Sequence, residues 1–129
     1  RRILALELAD KRFYHLDTCF LPLNDETLFY YPGAFTPAAQ RIIKNYVPNP
    51  VPVTIAEALN FILNGVVVGK TLVTNEGCSK KTKAVIRKAG LRLAEVDLSE
   101  FHKSGGSAKC LTLYLPARGS AYDHNENER

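Results

Sequence analysis

The sequence predicts an α/β fold made by repeating one ββαβ unit. Three observations predict it: β-rich and helix-like stretches alternate in the same order twice, the capping signals ahead of the helices recur, and corresponding landmarks stand at near-constant offsets. Thr27 and Thr71 are 44 residues apart, Thr36 and Ser79 are 43 apart, and so are Thr54 and Asp97.

The first unit opens on the apolar stretch 16–23, turns at Asn24-Asp25 and returns in the β-rich run 27–31, which is a hairpin signal. Thr36 then supplies a helix N-cap and Pro37 the first helical position. Ala38, Ala39, Ile42, Ile43 and Tyr46 recur on one side of the helix that follows. Val51-Pro52-Val53 closes the unit as a short strand. The second unit repeats the order: a strand over 61–68, its partner at 71–75, a helix from Ser79 to Ala89 with Gly90 at its C-cap, and a strand over 92–96.

Each unit ends in a further capping signal, Thr54-Ile55-Ala56-Glu57 and then Asp97-Leu98-Ser99-Glu100, which reads as a short linking helix. A strand is expected after each, at 61–68 and at 110–115, so the chain holds two complete units and the opening strand of a third. Its first residues are already apolar without a capping segment, which predicts a preceding stretch of polypeptide. Residues 120–129 are polar and aperiodic and read as a mobile tail.

At 129 residues, 46% hydrophobic and 23% charged, the chain has the size and composition of one domain with a buried core, which excludes general disorder. No apolar run approaches the roughly 20 residues that cross a bilayer. Arg1-Arg2 leads straight into apolar residues without a leader-type cleavage site, so a soluble protein is expected. Three cysteines, Cys19, Cys78 and Cys110, without C-x-x-C spacing suggest neither a disulfide framework nor a zinc site, and a reducing, cytoplasmic setting fits them. The net charge of +4 is densest at Lys80, Lys81, Lys83, Arg87 and Lys88, read as the solvated face of the second helix rather than as a nucleic-acid surface. Gly65-Val66-Val67-Val68-Gly69-Lys70-Thr71 is one residue short of a phosphate loop, and its middle reads as strand.

His15 and Cys110 both stand where a unit's opening strand is expected to begin. Equivalent strands of a closed, propeller-like array face one axis, so two residues 95 apart in sequence can meet there. A thiol becomes a good nucleophile as thiolate, which an imidazolium or a cationic substrate favours. Gly105 and Gly106, just ahead of Cys110, let the backbone approach a ligand closely. Taken singly, Cys110 and His15 each have an ordinary packing role. Asn60 and Asn64 could reach the axis as polar ligand contacts, but turn or cap duty is the reading preferred for both.

The stretches Phe13-Tyr14-His15-Leu16-Asp17-Thr18-Cys19-Phe20 and Asp97-Leu98-Ser99-Glu100-Phe101-His102-Lys103-Ser104-Gly105-Gly106-Ser107-Ala108-Lys109-Cys110-Leu111-Thr112-Leu113 resemble the histidine and cysteine motifs of the guanidino-group modifying superfamily. Arginine deiminases, dimethylarginine dimethylaminohydrolases, arginine dihydrolases and amidinotransferases belong to it, all built as five ββαβ modules around a pseudo-fivefold axis. The similarity runs from about residue 13 to residue 115. It implies that residues 1–119 are the C-terminal half of such a pentein-type α/β propeller, covering about two and a half modules.

The same resemblance implies chemistry. Cys110 attacks the guanidinium carbon, His15 protonates the departing amine, and water then hydrolyses the covalent thiouronium with His15 as base. Asp17 matches the position where deiminases, dihydrolases and amidinotransferases carry a carboxylate against the guanidinium. Many dimethylarginine hydrolases lack that acid, so Asp17 tilts the expectation toward free arginine. Its ordinary alternative is to cap a turn or pair with a surface lysine. The expected partners are a small guanidine, arginine or methylarginine, and the missing N-terminal half of the domain. No cofactor, metal, nucleic acid or membrane is expected, and there is room for a homo-oligomer.

One departure from the family pattern stands out. Its members also use an acid from an earlier module, and only Glu7 and Asp10 precede His15 here, in the wrong register, so the isolated chain is expected to be inactive. Two other functions share the fold: amidino transfer, with an amine in place of water, and a non-catalytic ribosome anti-association factor, which needs no nucleophile. The pairing of Cys110 with His15 in matching motifs argues against the second.

Overall fold

A computed structural model describes residues 3–115. The expected tail at 120–129 lies outside the described residues. Two three-stranded sheets of identical topology follow one another. In the first, β1 (Phe20–Pro22) pairs antiparallel with β2 (Thr27–Tyr30), which pairs parallel with β3 (Asn49–Pro52). In the second, β4 (Val66–Val68), β5 (Thr71–Asn75) and β6 (Arg92–Val96) repeat that order and those directions. The register repeats as well, Thr27 lying opposite Asn49 and Thr71 opposite Arg92.

Each parallel crossover is made by a helix, as two parallel neighbours require. Helix α1 (Pro37–Tyr46) begins where Thr36 Oγ1 accepts from the amide of Ala39, with proline at the first position. It buries Ala39 and Ile43, half-buries Ile42 and leaves Ala38 and Tyr46 exposed, a narrower apolar stripe than the periodicity suggests. Helix α3 (Lys80–Lys88) begins where Ser79 Oγ accepts from the amide of Thr82, and it buries Thr82 and Ile86. Of the basic cluster, Lys80, Lys81, Arg87 and Lys88 are exposed, whereas Lys83 is half-buried and reaches Glu95 at 2.6 Å. Gly90, at φ +80, turns the chain out of the helix.

The first linking helix, α2 (Ile55–Leu59), carries the complete capping box. The amide of Glu57 donates to Thr54 Oγ1, and the amide of Thr54 donates to Glu57 Oε2, each at 3.2 Å. The other carboxylate oxygen of Glu57 accepts from the Ser79 amide at 3.1 Å and the Thr82 hydroxyl at 2.5 Å, tying the linker to the start of α3. The second linker, α4 (Ser99–His102), is looser. Asp97 Oδ1 accepts from the amide of Ser99 at 3.0 Å, but the helix itself has no side-chain cap. Phe29, Ile43, Ile62, Leu63, Leu72 and Ile86 belong to one continuous core that runs through both units. No helix of the described residues is long and apolar enough to cross a membrane.

Three expected strands differ from what is found. Over 61–68 only Val66–Val68 is strand; Phe61 takes a positive φ of 56°, and the amides of Ile62 and Asn64 donate back to Glu57 and Phe61. Asn64-Gly65, a turn dipeptide, interrupts the stretch, and the short apolar segment ahead of it reads alike as strand or buried turn; here Ile62 and Leu63 are buried as turn. Over 16–23 the first residues form a 3-10 turn, Leu16–Thr18, and the strand starts at Phe20. Residues 110–115 form no strand: Cys110 and Leu111 lie in a turn, and the residues after them pair with no described strand. The described chain therefore consists of two open sheets plus the turn that follows the second linker, with neither sheet closed into a ring.

Candidate active site

Because neither opening strand starts where expected, His15 and Cys110 are both presented on turns. His15 has extended backbone and precedes the 3-10 turn Leu16–Thr18. Its carbonyl accepts from the Thr18 amide at 3.1 Å and the Thr18 hydroxyl at 2.6 Å, while Thr18 and Cys19 are buried beneath it. The backbone is thus held and the side chain left exposed, its ring meeting that of Tyr14 edge-on with centroids 5.2 Å apart. Asp17 lies inside this turn.

The cysteine motif leaves α4 through amide bonds of Ser104 to Phe101 and Gly105 to His102, each 2.9 Å. The chain reverses at Gly105, at φ +78, and Ser107 and Ala108 sink into the protein. Leu111 and Thr112 donate back to Ser107 and Lys109 at 3.1 Å, so Cys110 sits exposed on a single helical turn. The other thiols are different: burial pushes Cys19 and Cys78 up to about 12, and neither is accessible.

Two contacts join the motifs. The Tyr14 hydroxyl donates to the carbonyl of Gly105. Below it, Asn64, fully buried, donates from Nδ2 to the carbonyl of Asp17 at 3.1 Å and accepts at Oδ1 from the amides of Ser107 at 3.0 Å and Cys110 at 3.3 Å. The Tyr14 phenol is raised above its ordinary value, first by burial and then by the negative charge of Cys110 and Asp17, so both lie within electrostatic reach of one hydroxyl. Among the described residues Asp17 neither caps a turn with its side chain nor pairs with a lysine. Its Oδ1 is buried and has no hydrogen-bond partner among the described residues.

Gly105 and Gly106 prove to be required by the protein's own atoms. A Cβ on Gly105 would stand 2.7 Å from the Tyr14 hydroxyl, and one on Gly106 would stand 2.8 Å from Cys110 Cβ. Of the two early acids, Asp10 is taken up by Arg12 at 2.6 Å, and Glu7 is exposed beside the pairing of Leu8 with Phe35.

Asn60 does cap α2 and bonds to the Glu76 carbonyl at 2.7 Å; the backbone of Asn64 closes the turn begun at Phe61, its amide donating to that carbonyl at 3.0 Å, while its side chain reaches beyond the turn to both motifs. The available signal was its place as a lone amide inside the run Ile62-Leu63-Asn64-Gly65-Val66. Sequence reasoning gave no role to Tyr14 or to His102. The His102 ring lies 4.7 Å from that of Phe61, and its Nε2 lies 3.3 Å from Ser107 Oγ, bracing the cysteine turn from behind.

No protein-family model matches the chain. It is 42% identical over 113 residues to the bifunctional arginine dihydrolase/ornithine cyclodeaminase ArgZ of Synechocystis, covering 86% of this chain and 16% of that protein. It is 44% identical over 113 residues to the N(G),N(G)-dimethylarginine dimethylaminohydrolase of Mycobacterium tuberculosis, covering 88% and 37%. The crystal structure of the N-terminal domain of cyanobacterial ArgZ with bound product matches at a TM-score of 0.80 and 43% identity, over 85% of this chain and 41% of that one. The fold alone is shared with SxtG, an amidinotransferase from Microseira wollei, at a TM-score of 0.60 and 16% identity, over 82% and 34%.

Repeated ββαβ units bearing a thiol turn locked to a histidine turn describe the class, and these likenesses agree with it: over most of its length the chain is similar to members of the guanidino-group modifying superfamily. It spans less than half the length of these curated relatives.

Proposed function

We propose that this chain is the nucleophile-bearing part of an enzyme that hydrolyses a guanidinium C–N bond of arginine or an N-methylarginine. The observation that carries the reading is the buried, unpartnered Oδ1 of Asp17 near the exposed thiol turn of Cys110. A buried carboxylate oxygen without a donor is costly, and a guanidinium brings planar N–H donors and a positive charge to relieve that cost. The thiolate of Cys110 adds to the guanidinium carbon. The C–N bond breaks as the leaving amine takes a proton from His15, leaving a thiouronium. Water, losing a proton to His15, then adds to that carbon and the C–S bond breaks. The thiol returns and a urea group remains, giving citrulline; a second round gives ornithine.

The names of the relatives support this chemistry, and one ArgZ N-terminal domain structure holds a covalently bound reaction intermediate. We further propose that the two sheets are consecutive blades of a closed five-module propeller whose remaining modules supply the second acid, and that the free thiols belong to a reducing, cytoplasmic setting.

The test is a citrulline, ornithine and ammonia assay on the full-length protein with arginine and dimethylarginine in parallel and no added amine. Turnover abolished in Cys110→Ser is the expected result. Asp17→Asn should raise the KM for arginine about 100-fold, the loss of one charge-assisted pair. Product appearing only when an amine acceptor is added would transfer the assignment to amidino transfer. No reaction with either guanidine would falsify the proposal.

A further inference from the structure

We propose that Asn64 is the positioning residue of this site: one buried amide couples the Cys110 turn to the Asp17 turn and thereby sets the reach of the thiol to the guanidinium. The inference rests on the hydrolase reading and names the device that makes two turns act as one site.

Asn64 is fully buried in an apolar run, where an amide persists only if its polar atoms are satisfied. Its oxygen accepts from two backbone amides, those of Ser107 and of Cys110 itself, and its nitrogen donates to the Asp17 carbonyl. The orientation of the amide follows from chemistry, since two N–H donors need an oxygen and a carbonyl needs an N–H. The backbone carbonyl of Asn64 adds a fourth link, accepting from the Lys109 amide at 2.8 Å. One residue from the second unit thus holds the residues flanking the thiol, the thiol's own amide, and the peptide that carries the guanidinium-facing carboxylate.

Few side chains can replace it. Aspartate keeps the acceptor but sets an oxygen against the Asp17 carbonyl, and alanine leaves the Ser107 and Cys110 amides without a partner. Attack on carbon tolerates little displacement, a misplacement of about 1 Å costing on the order of 100-fold in rate, so a residue that touches no substrate can still govern kcat.

The test compares Asn64→Ala, Asn64→Asp and Thr82→Val in the full-length protein. Thr82→Val is the matched control, because it also deletes buried hydrogen bonding, the bond Thr82 donates to Glu57 and the one it accepts from Ser79 Oγ, but in α3 and away from both turns. Asn64→Ala is expected to lower kcat about 100-fold with KM within about threefold, Asn64→Asp to lower it about tenfold, and Thr82→Val to lose a similar amount of thermal stability with kcat within about twofold.

Asn64→Ala folded and within twofold of the parent kcat overturns the proposal. If Asn64→Ala does not fold, the same criterion passes to Asn64→Asp. If the unsubstituted protein turns over no guanidine, the hydrolase reading fails by itself, and the coupling is then judged by hydrogen exchange and alkylation. At least tenfold faster exchange of the Ser107 and Cys110 amides together with an altered rate of Cys110 labelling by iodoacetamide, relative to Thr82→Val, supports it. Unchanged exchange and labelling overturn it.

Discussion

The phenol of Tyr14 donates its hydroxyl hydrogen to the carbonyl oxygen of Gly105, 91 residues further along the chain, and the Tyr14 ring meets His15 edge-on. One side chain therefore touches both the histidine and the cysteine motif. Held above its ordinary value of 10.0 by burial and then by the charges of Cys110 and Asp17, the phenol stays protonated at neutral pH, as a donor must.

Tyr14→Phe should keep the ring contact and lose the bond. The expected cost is about 1 kcal/mol in stability, read as a fall of a few degrees in melting temperature, with kcat reduced less than tenfold. Tyr14→Ala should reduce turnover further, because it also releases the His15 ring. Equal effects from the two substitutions in a steady-state assay would show that the ring contributes nothing.

Two glycine substitutions separate backbone strain from crowding at the site. Gly105 at φ +78 and Gly69 at φ +58 both carry the backbone penalty of about 1 kcal/mol when changed to alanine. Only at Gly105 does the new methyl meet an obstacle, the Tyr14 hydroxyl at 2.7 Å, whereas nothing lies within 4 Å at Gly69. Gly69→Ala should lose stability alone. Gly105→Ala should lose turnover at least tenfold as well, and Gly106→Ala, pressing on Cys110 Cβ at 2.8 Å, should change the rate of thiol labelling.

Thiol labelling itself should be selective. At pH 7.5 iodoacetamide should modify Cys110, which is exposed, and spare Cys19 and Cys78, which are buried with thiols pushed up to about 12. Peptide mass spectrometry before and after unfolding checks this, and added arginine should slow the Cys110 reaction. Equal labelling of all three cysteines in the folded protein contradicts the burial described for the other two.

Acid stability should report on Glu57. Burial works to raise its carboxyl, but the Thr82 hydroxyl, the Ser79 amide and hydroxyl and the Thr54 amide hold it down to about 2. A folded value below the unfolded one means that the ionised group stabilises the fold above about pH 4.5 and that this contribution disappears as pH falls toward 2. It amounts to about 3 kcal/mol. Glu57→Gln should therefore melt lower at pH 7 and show a flatter stability profile between pH 4.5 and 2. Parallel profiles for the two proteins in denaturant titrations would remove Glu57 as the source.

By itself the sequence determined the repeat and the residue types of the site. Thr36, Thr54 and Ser79 cap helices because short-range hydrogen bonding dictates it, and Thr71–Asn75 and Arg92–Val96 are strands as their pattern requires. The repeat placed His15 and Cys110 at equivalent positions, and the resemblance of their motifs to a known superfamily singled out Asp17 beside them. Tertiary structure alone decided that these residues stand on turns, that the apolar run beginning at Phe61 bends before it becomes β4, and that Asn64 and Tyr14 are the links between motifs. The physical reason is that a short apolar segment such as Phe61-Ile62-Leu63 looks the same locally whether it extends or folds back. A buried amide finds its partners 46 and 47 residues away, where no local pattern can point.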